Sequence, residues 1–284
     1  MKAWKENAMR LVFLATACVS VLAVALICLF LFRSGLPAIL EIGPANFLLG
    51  REWKPQSGSY GIFPMLLGSV YVTAGAIVAG VPLGLLTAVF LARFCSPKLC
   101  RRLRPAIDLL AGIPSIVYGF FGLMALVPLM QLLFGGGGKS MLTASLLLGI
   151  MILPTVIGVA EAALRAVPEP YYEGALALGA THERAVFSVL LPAARSGILA
   201  GIVLGVGRAI GETMAVIMVA GNQTAMPRGL LQGVRTLTAN IVIEMGYATD
   251  LHREALFATG VVLFVFILLI NLAFSCLKQK GGIR

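Results

Sequence analysis

The sequence predicts an all-α polytopic membrane protein: six transmembrane helices, with a polar helical loop on the cytoplasmic side between helices 4 and 5. Three observations predict it. Of 284 residues, 59% are hydrophobic and only 12% are charged, against about 25% charged in soluble domains. Apolar runs near the roughly 20 residues that a spanning helix needs recur at about 11–32, 65–92, 107–133, 141–164, 197–220 and 255–277. The basic residues, finally, are unevenly shared between alternate connections.

That unevenness sets the orientation. With the N-terminus inside, the inner set is Lys2, Lys5, Arg10, Arg93, Lys98, Arg101, Arg102, Arg104, Arg165, Arg184, Arg195, Lys278, Lys280 and Arg284. The outer set is Arg33, Arg51, Lys54, Lys139, Arg228, Arg235 and Arg253. The positive-inside rule places both termini in the cytoplasm. The net charge of +10 is therefore topological. The lipid bilayer is an expected partner and nucleic acid is not.

The first run, Leu11 to Phe32, is uncharged and longer than the about 7–15 residues of a signal-peptide core. It is expected to be a retained helix. Residues 1–64 are this helix and its external loop, and 65–284 hold the other spans. In the loop, Phe47, Leu48 and Trp53 are expected in the membrane interface, which favours Trp; a docking surface for a soluble protein is the other reading. After the basic connection RFCSPKLCRRLRP, Asp108 is expected in the first turn of the third span, where a carboxylate suits the positive dipole end. Pro114 and Pro128 should bend or break that span.

FGGGGKS (134–140) fails as a phosphate-binding loop, because position 133 is Leu133 and no strand precedes it; a flexible turn is expected. Pro154 lies in the fourth span, and Glu161 and Arg165 form an i, i+4 pair near its end. Cys18, Cys28 and Cys276 lie in spans. Cys95 and Cys100 lie in an inner loop, reduced and without a nearby His to complete a metal site. His182 and His252 fall on opposite sides, each expected to be solvated.

Between the fourth and fifth spans stands EGALALGATHERAVFSVLLP, Glu173 to Pro192. Ala175, Leu176, Leu178, Val186, Val189 and Leu190 recur at roughly helical spacing. A Gly inside a helix costs about 1 kcal/mol against Ala, so Gly179 is expected to be the corner between two short helices. Pro192 should stop the second, because it has no N–H to donate. Such an angled pair suits a foot that exchanges force with a soluble partner.

In the fifth span Gly197, Gly201 and Gly205 recur every four residues, and Arg208 and Glu212 follow. On one continuous helix all five positions share an arc of roughly 80°. Small residues let helices approach, so this face should turn into the bundle. Arg208 would lie roughly 16 Å from Gly197, near mid-membrane. An Arg there costs at least about 2.5–3.5 kcal/mol. Two readings remain open: an Arg208–Glu212 pair that holds helices together, or an arginine on an anion path with Glu212 orienting its guanidinium. The planar guanidinium suits oxyanions because it can bond two oxygens.

Glu173-Gly174-Ala175, Gly179, Val189 and Leu191-Pro192 together resemble the cytoplasmic loop of binding-protein-dependent ABC importer permeases. That loop reads Glu-Ala-Ala, three residues, Gly, nine residues, Ile, one residue, Leu-Pro. Gly174 and Val189 depart from it. GREWKP, YGIFPMLLGS, IPSIVYGF, ILPTVIGVAEAALRAVP and GRAIGETMAVIMVAGN are similar to phosphate importer permeases of the PstC type, and the likeness runs from Gly50 onward. It implies an ABC importer transmembrane domain over 65–284 with a coupling loop at 165–196. It further implies a second permease subunit of the PstA type, an ATPase subunit dimer, an external phosphate-binding protein and a prokaryotic inner membrane. Glu173 would pair with a basic group on the ATPase, and Arg208 and Glu212 match positions tied to phosphate passage. The chain itself would bind no cofactor and would not be an enzyme; ATP and Mg would sit on the partner ATPase. Alternating access is the expected mechanism. The alternatives are a permease for sulfate, molybdate or phosphonate, a proton-coupled anion transporter with Glu212 as relay, and a membrane sensor.

Overall fold

The computed structural model describes residues 2–281, with side chains for residues 6, 7 and 9–276. The side chains of Lys2, Lys5, Lys278, Lys280 and Arg284 lie outside that set. Helix α1 (Lys2–Ile42) does not stop near residue 32 but continues through Arg33 and Pro37. Packing on the last helix, α14 (Asp250–Gly281), carries it on. A Cβ on Gly35 would lie 2.8 Å from Val261 Cγ2 and 2.9 Å from Ala258 N. Phe30 and Phe32 meet Phe257 and Phe264 edge-on.

A short helix α2 (Pro44–Leu49) and a two-stranded hairpin, β1 (Trp53–Lys54) with β2 (Ser59–Tyr60), lead into α3 (Phe63–Val89). The hairpin is antiparallel, with Trp53 opposite Tyr60. Phe47 is fully buried and Trp53 is 4% exposed, packed with Ile62, Leu237 and Leu256. The membrane-interface expectation is thus corrected for both. An apolar ring fits a protein core as well as an interface, and here the hairpin and α14 supply the core.

A π-helical turn (Phe90–Phe94) ends α3, and α4 (Pro97–Gly112) follows with no buried residue. The third span is shorter than expected. It starts at α5 (Ser115–Phe121), passes a π-helical turn (Gly122–Leu126) and ends in α6 (Val127–Phe134). A residue before proline avoids helical ψ, and Ile113, before Pro114, is extended at ψ 126°. Asp108 is therefore corrected: it is exposed in the C-terminal half of α4, away from any helix N-terminus.

Helix α7 (Met141–Arg165) is the central element, with Leu147, Leu148, Met151, Ile152, Val156 and Ala160 buried. It packs along α3 at small-residue contacts. A Cβ on Gly80 would lie 2.6 Å from the Gly149 carbonyl oxygen. Beyond it come α8 (Glu169–Ala177), α9 (His182–Ala185), a π-helical turn (Val186–Leu190), α10 (Leu191–Ala193) and α11 (Arg195–Gly211). Then follow α12 (Met214–Val219) and α13 (Leu237–Met245).

Five helical units are long and apolar enough to cross a membrane: Met9–Ile42, Phe63–Phe94, Ser115–Phe134, Met141–Arg165 and Asp250–Cys276. A sixth forms if His182–Ala193 and Arg195–Gly211, bent by 69°, count as one. The fifth expected span is corrected: its helix ends at Gly211, and Glu212 is extended (φ −70°, ψ 132°). Residues 221–249, which follow the fifth expected span, fold back on the bundle. Met141 N donates to Gln232 O at 2.9 Å and Leu142 N to Leu230 O at 2.8 Å.

Candidate functional site

The break after Gly211 decides what Arg208 and Glu212 do. Glu212 Oε1 accepts from Thr213 N (3.0 Å) and Ala215 N (3.2 Å), so its carboxylate caps the start of α12. A negative group suits that end of the helix dipole. The Glu212 carbonyl accepts from Thr238 Oγ1 at 3.1 Å, which ties the break to α13. The expected Arg208–Glu212 pair does not form, because the turn that would carry Glu212 onto the arginine's face is unwound. Arg208, half-buried in the last turn of α11, makes no ion pair or hydrogen bond with protein among the described residues. It lies within electrostatic range of Tyr118 on α5.

The glycine face behaves as the spacing suggests. Cβ atoms on Gly197, Gly201 and Gly205 would lie 2.5, 3.1 and 3.1 Å from Ala163, Val159 and Val156 of α7. The first part of α11 is therefore pressed against the central helix.

The stretch from Glu169 to Ala194 is the angled helical foot that the sequence suggests. Gly179 is its corner at φ +83°, a left-handed conformation that glycine adopts without a Cβ penalty. Thr181 caps α9 by accepting from Arg184 N. On the inner side Ala185 is buried, and Val186 and Leu190 pack with Ala88, Val89, Ala160 and Leu164. On the outer side Leu178 is 91% exposed, with Tyr171, Leu176 and Phe187 also open. Glu173 and Gly174 are exposed, and nothing lies within 4 Å of a Cβ on Gly174. Ala175, Val189 and Leu191 are half-buried and Pro192 is exposed.

Pro192 differs from expectation: it sits inside the last short helix rather than after it. The π-helical turn before it absorbs the strain by passing the Leu191 N–H to Val186 O. His182 is corrected too. Its Nδ1 is 2.7 Å from Tyr172 Oη and its ring packs on Phe94, so it pins α9 to α8 and α3. The Glu183 carboxyl is held below the usual carboxylate range by its own backbone N–H first, then by the Thr181 hydroxyl.

At the opposite end of the bundle lies a cluster the sequence reading missed. Glu244 is 6% exposed. Its Oε2 accepts from Trp53 Nε1 and lies against His252 Nε2, both at 2.8 Å. Its Oε1 accepts from Arg235 Nη1. Arg235 also donates to Asn222 O and Asn240 Oδ1, each at 3.0 Å. His252 is thus a half-buried partner of Glu244 and not a freely solvated residue. No local pattern signals this cluster, since Trp53 and Glu244 are 191 residues apart.

Known proteins resemble this chain in sequence and in fold. The family described as "Binding-protein-dependent transport system inner membrane component" matches residues 80–280. The probable ABC transporter permease protein YqgH of Bacillus subtilis is 38% identical over 92% of this chain and 88% of its own length. The phosphate transport system permease protein PstC of Mesorhizobium japonicum is 36% identical over 84% of this chain and 80% of its own length. The probable phosphate transport system permease protein PstC of Methanocaldococcus jannaschii is 32% identical over 86% and 84%. Among solved structures, a bacterial alginate ABC transporter chain aligns over 99% of this chain and 98% of its own, with TM-score 0.69 and 13% identity. A chain of the MetNI methionine ABC transporter aligns over 82% and 100%, with TM-score 0.63 and 20% identity. Those two likenesses concern the fold. A family match over most of the chain, joined to relatives more than 30% identical along most of their length, gives the conclusion: this chain belongs to the binding-protein-dependent transport system inner membrane components.

Proposed function

We propose that the chain is the phosphate-conducting permease subunit of an ATP-driven importer. The observation that carries this reading is Arg208: a half-buried arginine in a membrane helix of an importer permease, with no protein anion committed to it among the described residues. A desolvated guanidinium without a partner is costly, and a phosphate passing close to it offsets that cost transiently. The relatives named PstC support phosphate over other oxyanions. Glu212 is part of the path as the cap that ends α11 beside Arg208, rather than as the partner of Arg208.

The ATPase dimer docks on the open face of α8 and α9. Glu173, Gly174 and Ala175 meet it, and Gly179 sets the angle between the two helices. Val189, Leu191 and Pro192 pass the motion into α11, which begins at Arg195 and ends in the turn holding Arg208. Alternating access follows from rocking α11 against α7 over the glycine contacts. A PstA-type permease completes the core, an external phosphate-binding protein delivers the anion, and ATP with Mg is bound by the ATPase alone. Both termini face the cytoplasm.

The test is uptake into vesicles carrying the chain with its partner permease, ATPase and binding protein. Labelled phosphate should accumulate only with ATP inside the ATPase compartment, and sulfate, molybdate and phosphonate should compete poorly. Uptake that persists without the ATPase, or equal competition by sulfate, contradicts the proposal.

A further inference from the structure

A second cationic site lies at the end of the bundle that carries α8–α10. Where the π-helical turn of α3, the start of α4 and the end of α7 meet, they enclose a cleft of about 570 Å³. Arg93, Arg101, Arg104 and Arg165 line it, together with Cys95 and Cys100. Two carboxylates pair with three of these four cations, and neither lines the cleft. Glu161 takes both Arg104 and Arg165, and Glu169 takes Arg93 at 3.1 Å. A surplus of two positive charges is left facing the cavity. Arg93 Nε is buried with no acceptor, and Arg101 has no ion-pair partner among the described residues.

Three further features point to an anion. The cleft borders the N-terminal end of α4, where a helix dipole favours negative charge. Burial first, then the adjacent Cys100, push the Cys95 thiol up to about 11, so no thiolate opposes an anion there at neutral pH. Helix α4 also joins two membrane spans, between Phe94 and Ser115. It sets Leu99, Leu103, Ile107 and Leu110 on one face and its arginines on the other, the pattern of a helix lying in the bilayer surface. A basic pocket at that depth suits a phosphate headgroup, and guanidinium forks match phosphate geometry.

We infer that this cleft binds a phosphate group, either the headgroup of an anionic phospholipid or free inorganic phosphate. The site is separate from Arg208 and does not rest on what the importer carries. Arg101 is the residue to change, because it is exposed and unpaired. Arg102 is the control: it is exposed on the same helix but does not line the cleft.

The purified chain goes into nanodiscs of phosphatidylcholine alone or with phosphatidylglycerol. Native mass spectrometry counts retained lipids, and equilibrium dialysis in the phosphatidylcholine discs measures labelled phosphate. Losing one charge-assisted contact should weaken binding about tenfold. If Arg101→Glu and the milder Arg101→Gln weaken phosphatidylglycerol retention by that factor while Arg102→Glu does not, the headgroup is the ligand. The same loss confined to labelled phosphate identifies the free ion. If neither ligand responds to Arg101, or Arg102→Glu weakens binding equally, the cleft is not a site and the inference fails.

Discussion

Two arginine–glutamate pairs in this chain meet opposite fates. Arg235 and Glu244, nine residues apart, are closed: Glu244 takes Arg235, Trp53 and His252, while Arg235 also donates to the Asn222 carbonyl through Nε and to Asn240 Oδ1 through Nη1. Arg208 and Glu212, four residues apart, are open: Glu212 caps α12, and Arg208 has no protein anion among the described residues. The closed pair joins the hairpin, α13 and α14, so its charges act as a brace. A buried pair gains little net stability, yet removing one member strands the other. The open pair keeps a cation available, which a brace would not need. Spacing alone ranks the two pairs the wrong way round, because only the backbone break at Glu212 reveals which arginine is free.

The comparison breaks most easily at Glu244. Glu244→Ala leaves Arg235 buried without its carboxylate and should cost about 3–5 kcal/mol, read as a lower melting temperature of the purified chain and less protein in the membrane. An unchanged melting temperature would mean that the closed pair braces nothing. A smaller effect is expected at Glu212. Glu212→Ala removes a cap and should cost about 1 kcal/mol, whereas Glu212→Gln keeps an acceptor for Thr213 N and should cost less. If Glu212→Ala destabilised as much as Glu244→Ala, the open pair would be a second brace.

Much of this was legible in the sequence because a bilayer demands long apolar runs. The spans at 65–92, 141–164 and 255–277 correspond to Phe63–Phe94, Met141–Arg165 and Asp250–Cys276. The corner at Gly179 was legible as well, since a glycine between two periodic segments has few other uses. Continuity was not. Apolar composition runs straight through Ile113 and Met214, while a proline and a carboxylate cap interrupt the helices there. The Glu244 cluster was hidden for another reason. Its members come from the hairpin, the connection before α13, α13 itself and α14, and their meeting is a product of tertiary packing. Phe47 and Trp53 were misplaced because the same rings suit lipid headgroups and a protein core.

The most direct test of the open pair is Arg208→Ala, measured twice on one preparation of the assembled complex: thermal melting, and ATP-driven uptake of labelled phosphate into vesicles. An arginine without a protein partner should leave melting within about 2 °C of the parent, and loss of its anion contact should cut uptake at least about tenfold. Normal uptake in a variant that melts like the parent would contradict the account, and so would a collapse in melting like that expected of Glu244→Ala.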